Sequence, residues 1–281
     1  MNNLAFTTAE VFADCLENTA VNAPFETARA VATAAVADIE VTGLTKTFGG
    51  SVQVLRDIHF SIPSGQAVAL IGHNGSGIST LLRCCLRLIE PSAGTINLLN
   101  RPFSNLSGKA LRNLRSQVGF IFQRHNLVPR LSALTNVLHG VQARKKGPFT
   151  WFHWMAAQKD REEAMLQLER VGLAHLALRR VNQLSGGESQ RVAIARALMQ
   201  QPKMVMADEP AASLDPVAGE EVMQLFLRCI KEEGLTLLFV SHNLEHALRY
   251  ADRVIGLRGG KLELDAPAST LNLASLRKIY G

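Results

Sequence analysis

The sequence predicts an α/β fold in which a mainly parallel sheet carries an antiparallel part near the N-terminus, and three observations support this. Short apolar runs of the kind found in buried strands recur along the chain. Stretches with helical periodicity separate most of them, which is typical of parallel sheets. Between Gln123 and Leu184 no strand pattern occurs. This block is therefore expected to be a helical subdomain inserted into the α/β core.

Each element follows from its local pattern. The last two strands flank Gly259-Gly260, a pair that favours a tight hairpin turn. Strands are predicted at 39–43, 53–61, 67–71, 94–99, 117–122, 203–207, 236–240, 253–257 and 261–264. Helices are predicted at about 78–89, 108–115, 132–144, 158–171, 187–200, 217–233 and 243–250.

Composition narrows the class of protein. The chain has 281 residues, of which 47% are hydrophobic and 19% charged, as in a globular protein that buries a large core. It contains no apolar run of about 18–20 residues that would span a membrane, and its N-terminus does not read as a signal peptide. The net charge of +6 permits nucleic acid, phosphate ligands or an anionic membrane surface as partners.

Cysteine usage points to a reducing compartment. The four cysteines lack the paired spacing of a metal site. Cys84 and Cys85 lie in an apolar helical stretch and are expected to be buried thiols. This pattern fits a cytosolic protein.

The most informative segment is a glycine-rich loop between the strand at 67–71 and the next helix. It matches the phosphate-binding pattern G-x-x-x-x-G-K-[ST] except that isoleucine replaces the lysine. We call it the phosphate loop; it reads Gly72-His73-Asn74-Gly75-Ser76-Gly77-Ile78-Ser79-Thr80.

The substitution removes one function of this loop and keeps others. Glycines let the backbone approach an anion, and successive N–H groups can cradle phosphates at a helix N-terminus. Ser79 can still offer its hydroxyl to Mg²⁺. Ile78 cannot supply the ammonium that bridges terminal phosphates. We therefore expect weaker ATP binding and a larger loss of turnover.

A second motif is the pair Asp208-Glu209, which ends the apolar strand at 203–207. At the C-terminal end of such a strand, Asp208 would face the phosphate loop and hold Mg²⁺. Glu209 would orient or deprotonate an attacking water. Alone, Asp-Glu-Pro is often simply a helix start. About 130 residues after a phosphate loop, the catalytic interpretation is favoured.

A third motif, the signature segment, opens the helix predicted at 187–200. Ser185 can cap this helix, and glycines leave its N–H groups open to an anion. Alone, it could be an ordinary helix cap. Together with the phosphate loop and the acidic pair, it resembles the ATP-binding cassette family over about residues 39–265. The segment reads Leu184-Ser185-Gly186-Gly187-Glu188-Ser189-Gln190-Arg191.

The resemblance implies further roles, residue by residue. Phe48 matches the aromatic residue that stacks on adenine, although it could instead be a core residue. Gln123 matches the glutamine that senses Mg²⁺ and the attacking water, and His242 the histidine that contacts the γ-phosphate. Asp215 matches a loop at the dimer interface. In this family two cassettes dimerise head to tail, so that ATP lies between one phosphate loop and the partner's Ser185, Gly186, Gly187 and Glu188.

Other segments resemble the ATP-binding subunits of phosphonate importers. These are 119–132, 191–203 and an insert at 147–154 that holds Trp151 and Trp154. This insert follows a basic run and either touches the permease or membrane surface or folds back over the helical subdomain.

The subfamily implies a membrane-peripheral ATPase that takes ATP and Mg²⁺. Its partners would be a second cassette, two transmembrane permease subunits and, indirectly, a periplasmic binding protein, at the cytoplasmic face of the inner membrane. The transported substrate would be phosphonate, phosphite or phosphate. The predicted domains are an N-terminal extension over 1–36, a nucleotide-binding domain over 37–270 with its helical subdomain at about 124–186, and a C-terminal tail over 271–281.

Two alternatives remain at this point. Cassette ATPases that act on DNA or ribosomes usually carry long insertions or two cassettes, whereas Gln123 to Ser185 spans only about 60 residues here. No nucleic acid is therefore expected as a partner. A degenerate cassette that binds nucleotide without turnover is supported by Ile78 alone.

Overall fold

The predicted α/β architecture is confirmed by the structure, a computed structural model that describes residues 36–145 and 154–280. Its strands are β1 (Ala37–Phe48), β2 (Val52–Pro63), β3 (Ala67–Ile71), β4 (Ala93–Leu98), β5 (Arg101–Pro102), β6 (Val118–Ile121), β7 (Met204–Ala207), β8 (Thr236–Val240), β9 (Arg253–Arg258) and β10 (Lys261–Pro267). Its α-helices are α1 (Ile78–Cys85), α2 (Gly108–Arg115), α3 (Ala133–Leu138), α4 (Gln158–Arg170), α5 (Gly186–Met199), α6 (Pro216–Glu232), α7 (Leu244–Tyr250) and α8 (Leu273–Tyr280).

The antiparallel part is a four-stranded sheet in the order β2-β1-β4-β5. The long strands β1 and β2 are joined by a turn at Gly49 and Gly50, whose φ angles of 57° and 75° suit glycine. Buried and exposed residues largely alternate along β2, as expected for a sheet with one face on the core.

The larger sheet has the order β10-β9-β3-β8-β7-β6. Its five strands from β9 to β6 are parallel, and β10 joins antiparallel through the predicted Gly259-Gly260 hairpin. All residues of β7 and β8 are buried, which explains why they read as continuous apolar runs.

The sheet divides the core into two clusters. Val68 and Leu70 on β3 face α1 and the antiparallel sheet, whereas Ala69 and Ile71 face the cluster that contains α3 to α6. Cys84 and Cys85 are fully buried in the first cluster, as predicted. This arrangement leaves the two ends of the strands, rather than the faces of the sheet, open to ligands.

Several element boundaries differ from the prediction. The helix expected at 78–89 ends at Cys85, since Arg87 has a left-handed φ of 51°. The helix expected at 132–144 is an α-helix only to Leu138 and then a 3₁₀-helix to Ala143. Among the strands and α-helices of the described residues, two were not predicted, the two-residue β5 and α8, the latter within the residues expected to form a tail.

Between β6 and β7 the described residues form helices and turns and no strand, as predicted. Within the described ranges, none of the helices combines the length and apolar character needed to cross a bilayer. The N-terminal extension lies outside the described residues except for Val36. The tryptophan-bearing insert also lies outside them except for Trp154, whose surface is 68% exposed.

Candidate nucleotide site

Four predicted site segments lie at one edge of the parallel sheet. In the sheet register, Leu70 on β3 pairs with Val240 on β8, and Ala207 on β7 pairs with Phe239 on β8 and with Ile121 on β6. The chain leaves these strands as the phosphate loop, His242, Asp208-Glu209 and Gln123. Carboxyl ends of parallel strands are where α/β folds place ligands.

The phosphate loop has the backbone geometry that its glycines predict. Gly75 and Gly77 have φ angles of 83° and 103°, in the region that only glycine adopts without strain. A Cβ atom on Gly72 would lie 2.5 Å from the carbonyl oxygen of Leu257, so no side chain fits there. The hydroxyl of Ser76 is buried without a hydrogen-bond partner, and Ser79 is exposed. His73 lies half-exposed, Asn74 is exposed and Thr80 half-buried.

Ile78 packs into the core at the first residue of α1. Only 6% of its surface is exposed, and it belongs to the apolar cluster that includes Leu81 and Leu82. Its Cδ1 atom lies 3.0 Å from the point that a Cβ on Gly72 would occupy. The side chain therefore lies under the loop as an apolar contact and offers nothing to an anion.

Gln123, Glu209 and His242 form a trio of side chains connected through the Glu209 carboxylate. The amide Nε2 of Gln123 donates to Oε2 of Glu209 at 3.2 Å. Nε2 of His242 lies 2.6 Å from Oε1 of the same carboxylate. Glu209 adopts a left-handed φ of 53°, a strain of the kind that clusters at functional sites. The trio borders a cavity of about 910 Å³ that also reaches Asp215.

Asp208 is half-buried beside this trio. Burial, and then the negative charge of Glu209, raise the pKa of Asp208, while the charges of Arg83 and His242 oppose the rise. Arg83 was missed by sequence reasoning, since its position five residues beyond Ile78 in α1 carries no signal of facing an acid. A carboxylate destabilised in this way gains from a cation placed next to it.

Phe48 ends β1 at the surface. Its ring is 39% exposed, and Nζ of Lys46 lies 4.9 Å from its centroid. The alternative that Phe48 is a core aromatic residue is therefore wrong. The ring is available for stacking.

Ser185 caps the start of α5, as predicted, and forms a complete capping box with Glu188. The backbone N–H of Glu188 donates to Oγ of Ser185 at 3.2 Å, and the N–H of Ser185 donates to Glu188 Oε2 at 2.7 Å. The hydrogen bond from the Ser185 backbone is the main cause that lowers the pKa of Glu188. Two N–H groups at the start of the helix are therefore satisfied by side chains, and Gly186 is exposed.

The signature segment adjoins the loop that carries Asp215. Asp215 caps α6 by accepting from the N–H of Ala218 at 3.0 Å. A Cβ on Gly186 would lie 3.1 Å from Leu214. Gly186, Gly187 and Asp215 line a second cavity, of about 260 Å³, and no residue of the phosphate loop lines it. Neither this cavity nor the one at the trio is lined by both the phosphate loop and the signature segment, and we refer to these two segments as half-sites.

Comparison with known proteins gives a consistent result. The family model described as "ABC transporter" matches residues 55–212. The chain is 42% identical over 246 residues to the phosphonates import ATP-binding protein PhnC 2 of Oceanobacillus iheyensis, which covers 86% of this chain and 95% of that protein. It is 40% identical over 240 residues to PhnC of Treponema denticola, which covers 85% of this chain and 93% of that protein.

Solved structures agree. The ATP-binding cassette MJ0796, in a dimeric post-hydrolysis state bound to ADP and Pi, superposes with a TM-score of 0.72 at 33% identity over 82% of this chain and 98% of that one. The cassette cbiO1 of Clostridium perfringens, part of the transporter complex cbiONQ, gives a TM-score of 0.73 at 29% identity over 83% of this chain and 90% of that one. With the matched segment, the fold and the relatives in agreement, the chain belongs to the ABC transporter family, as an ATP-binding cassette of the phosphonate-importer type.

Proposed function

We propose that this chain is the ATP-hydrolysing subunit of an importer for phosphonates or a related phosphorus oxyanion such as phosphite or phosphate. The observation that carries the proposal is the meeting of Gln123, Glu209 and His242 at the sheet edge where the phosphate loop begins. Relatives at about 40% identity over most of the chain are named for phosphonate import, which supports the substrate class.

The trio supports a hydrolytic mechanism. Glu209 accepts the proton of the attacking water, a role for which its two oxygens are already fixed by Gln123 and His242. His242 contacts the γ-phosphate, and Gln123 orients the water. The N–H groups of the phosphate loop hold the phosphates, and Phe48 stacks on the adenine.

The residues present fit a Mg²⁺ ion. Mg²⁺ in nucleotide sites is held by one or two carboxylates, substrate phosphates and waters. Asp208 is a half-buried carboxylate whose pKa is raised by burial, so a divalent cation would stabilise its charged form. Ser79 and Gln123 would add a hydroxyl and an amide oxygen. Mg²⁺ would neutralise phosphate charge during hydrolysis.

The separation of the two half-sites supports a head-to-tail homodimer. Each ATP would lie between the phosphate loop of one copy and Ser185, Gly186, Gly187 and Glu188 of the other, with Asp215 at the interface. Two permease subunits would receive the closing motion at the cytoplasmic face of the inner membrane. A periplasmic binding protein would deliver the substrate.

A second function is favoured by one observation, the burial of Ile78 under the phosphate loop. A cassette without the loop lysine can bind nucleotide through backbone N–H groups and still lack turnover. In this case the chain would act as a nucleotide-dependent structural subunit of the transporter.

Reconstitution with the cognate permease in liposomes separates the two functions. Phosphonate-stimulated ATP turnover is measured for the chain as sequenced and for Ile78→Lys. Low turnover that lysine restores supports an importer ATPase weakened at position 78. Equal turnover in both would show that position 78 does not matter. The control Glu209→Gln in the Ile78→Lys chain should bind ATP without turning it over.

A further inference from the structure

The strand that leads to Gln123 is hydrogen-bonded near both of the strand's ends by side chains from the C-terminal part of helix α5 and the residue after it. This helix begins at the signature segment, and β6 is the last strand of the parallel sheet. Within the residues that the structure describes, the outer edge of β6 pairs with no further strand. Two side chains hydrogen-bond to carbonyl groups before, at the start of and after β6: that of Arg196, in the last turn of α5, and that of Gln200, the residue that follows the helix. They are four residues apart and so lie on one face of the helix.

Arg196 grips the loop just beyond Gln123. Its Nη1 donates to the carbonyl oxygen of Asn126 at 2.6 Å, and its Nη2 donates to that of His125 at 2.8 Å. His125 and Asn126 have left-handed φ angles of 24° and 49°, which non-glycine residues rarely adopt. A strained backbone persists only where its surroundings hold it. The planar guanidinium, which reaches both carbonyls at once, is the group that does so here.

Gln200 grips the other end of the same segment. Its Nε2 lies 2.8 Å from the carbonyl oxygen of Ser116 and 2.9 Å from that of Val118, the first residue of β6. The segment 116–126 is thus attached to α5 before and after the strand. Gln123 lies within it and reaches out to Glu209.

The charged groups around Arg196 confirm that the contact is with backbone rather than with acids. Arg196 is half-buried, and burial lowers its pKa. Burial, and then the charge of Arg196, lower the pKa of His125. The interaction therefore consists of two charge-assisted hydrogen bonds to carbonyls, which are among the stronger kinds.

We propose that Arg196 is a positioning residue that, with Gln200, holds Gln123 on Glu209 and ties that contact to the helix beginning at Ser185. A ligand that shifts the signature end of α5 would then move Gln123 relative to the catalytic carboxylate. The start of the helix, next to Ser185, and Arg196 are about 15 Å apart along the helix axis. The catalytic part of the inference rests on the proposed ATP hydrolysis, and the structural part does not.

Native-state proteolysis tests the structural part without nucleotide. Arg124 is exposed and lies inside the held segment, so trypsin can cut after it once the loop opens. We expect Arg196→Lys, which keeps the charge but lacks the planar fork that reaches both carbonyls, to speed cleavage after Arg124 by roughly tenfold. Mass spectrometry identifies the fragment that ends at Arg124.

Arg115→Lys is the matched control. Arg115 also donates to two backbone carbonyls, those of Leu86 and Arg87, which lie outside the held segment 116–126. Cleavage after Arg124 should stay within about twofold of the unmodified chain in this variant. Unchanged cleavage in folded Arg196→Lys, or equal acceleration in both variants, overturns the proposal.

Kinetics in the Ile78→Lys background test the catalytic part. Arg196→Lys should lower kcat roughly tenfold with KM for ATP within about threefold, because ATP contacts are intact and only Gln123 is misplaced. A rise in KM with unchanged kcat contradicts the positioning role. Absence of turnover in every variant would instead count against the proposed function, and the proteolysis comparison would still decide the structural link.

Discussion

Ile78 is the residue of the phosphate loop that differs from the phosphate-binding pattern, which has lysine at this position. The side chain is buried in an apolar cluster, so restoring lysine exchanges core packing for an ammonium group. Burying an isoleucine is worth about 1.5–3 kcal/mol, part of which the lysine stem can recover by snorkelling. The residue therefore affects folding and phosphate binding in opposite directions.

We predict that Ile78→Lys lowers the melting temperature without nucleotide by a few degrees and raises the ATP-induced stabilisation. Thermal unfolding with and without Mg-ATP measures both effects. Ile78→Met is the control, since it has a long stem and no charge and should give neither the ATP effect nor a large loss of stability. An equal ATP-induced shift in both variants would show that the ammonium does not contact the nucleotide.

Asp208 illustrates the cost of holding a carboxylate ready for a cation. Its folded-state pKa is raised by burial and by Glu209, so its contribution to stability is fully present below its unfolded pKa and is lost as pH rises through the raised value. Asp208→Asn should therefore raise the melting temperature at neutral pH, and the gain should vanish on acidification. If the gain in melting temperature persisted unchanged at acid pH, its cause would be packing and not the charge of Asp208. Site residues commonly trade stability for function in this way.

The site residues that the sequence predicts are set by local backbone geometry, whereas those that it does not predict act through contacts with distant parts of the chain. The phosphate loop and the signature glycines leave a local pattern, since special backbone geometry requires them. Arg196 and Arg83 leave none, because the sequence of a helix does not tell which carbonyl or carboxylate its polar face meets. Their partners, Asn126 and Asp208, are distant along the chain.

Among the elements, strands were predicted best. Buried parallel strands such as β8 are continuous apolar runs, whereas β5 is two residues long and gives no signal. The α-helix after Ser132 changes to a 3₁₀-helix near Gly140, where a Cβ would lie 2.4 Å from the carbonyl oxygen of Arg196. That close approach to α5 is a tertiary contact, which local periodicity cannot reveal.

Helix α5 allows a prediction at the level of a single element. Glu188 completes its capping box, and the hydrogen bond from Ser185 lowers the pKa of Glu188. The contribution of Glu188 to the stability of the fold is therefore present above its unfolded pKa, and it is lost as pH falls through the lowered folded pKa. Glu188→Ala should reduce stability by about 1 kcal/mol at neutral pH, with the difference disappearing on acidification. Denaturant unfolding at several pH values measures this. Glu188→Gln, which keeps an acceptor, should lose less, and a pH-independent difference would exclude the carboxylate as its cause.

For the whole molecule, the separation of the two half-sites is the decisive property. The signature segment and Asp215 line a cavity that contains no residue of the phosphate loop, as expected if two copies of the chain share each ATP site. In the proposed head-to-tail dimer, each site would depend on the phosphate loop of one copy and the signature segment of the other. Defects in opposite halves should then complement each other.

The chain as sequenced lacks the lysine of the phosphate loop and keeps an intact signature segment. A second variant, Ile78→Lys with Ser185→Arg, has the opposite defects, because the bulky cation blocks the start of α5. Neither alone should turn over ATP well. Mixed in equal amounts, they should reach about one quarter of the Ile78→Lys rate, since about half of the dimers are mixed and each has one complete site.

The control for this experiment removes the catalytic base from the lysine-bearing copy. Adding Glu209→Gln to the second variant should abolish the recovered activity, because the complete site uses the phosphate loop and Glu209 of the same chain and only the signature segment of its partner. The same substitution in the chain as sequenced should leave the recovery intact. A mixture whose rate equals the average of the separate rates would contradict the head-to-tail arrangement, and recovery that is lost from either copy would place Glu209 in both sites at once.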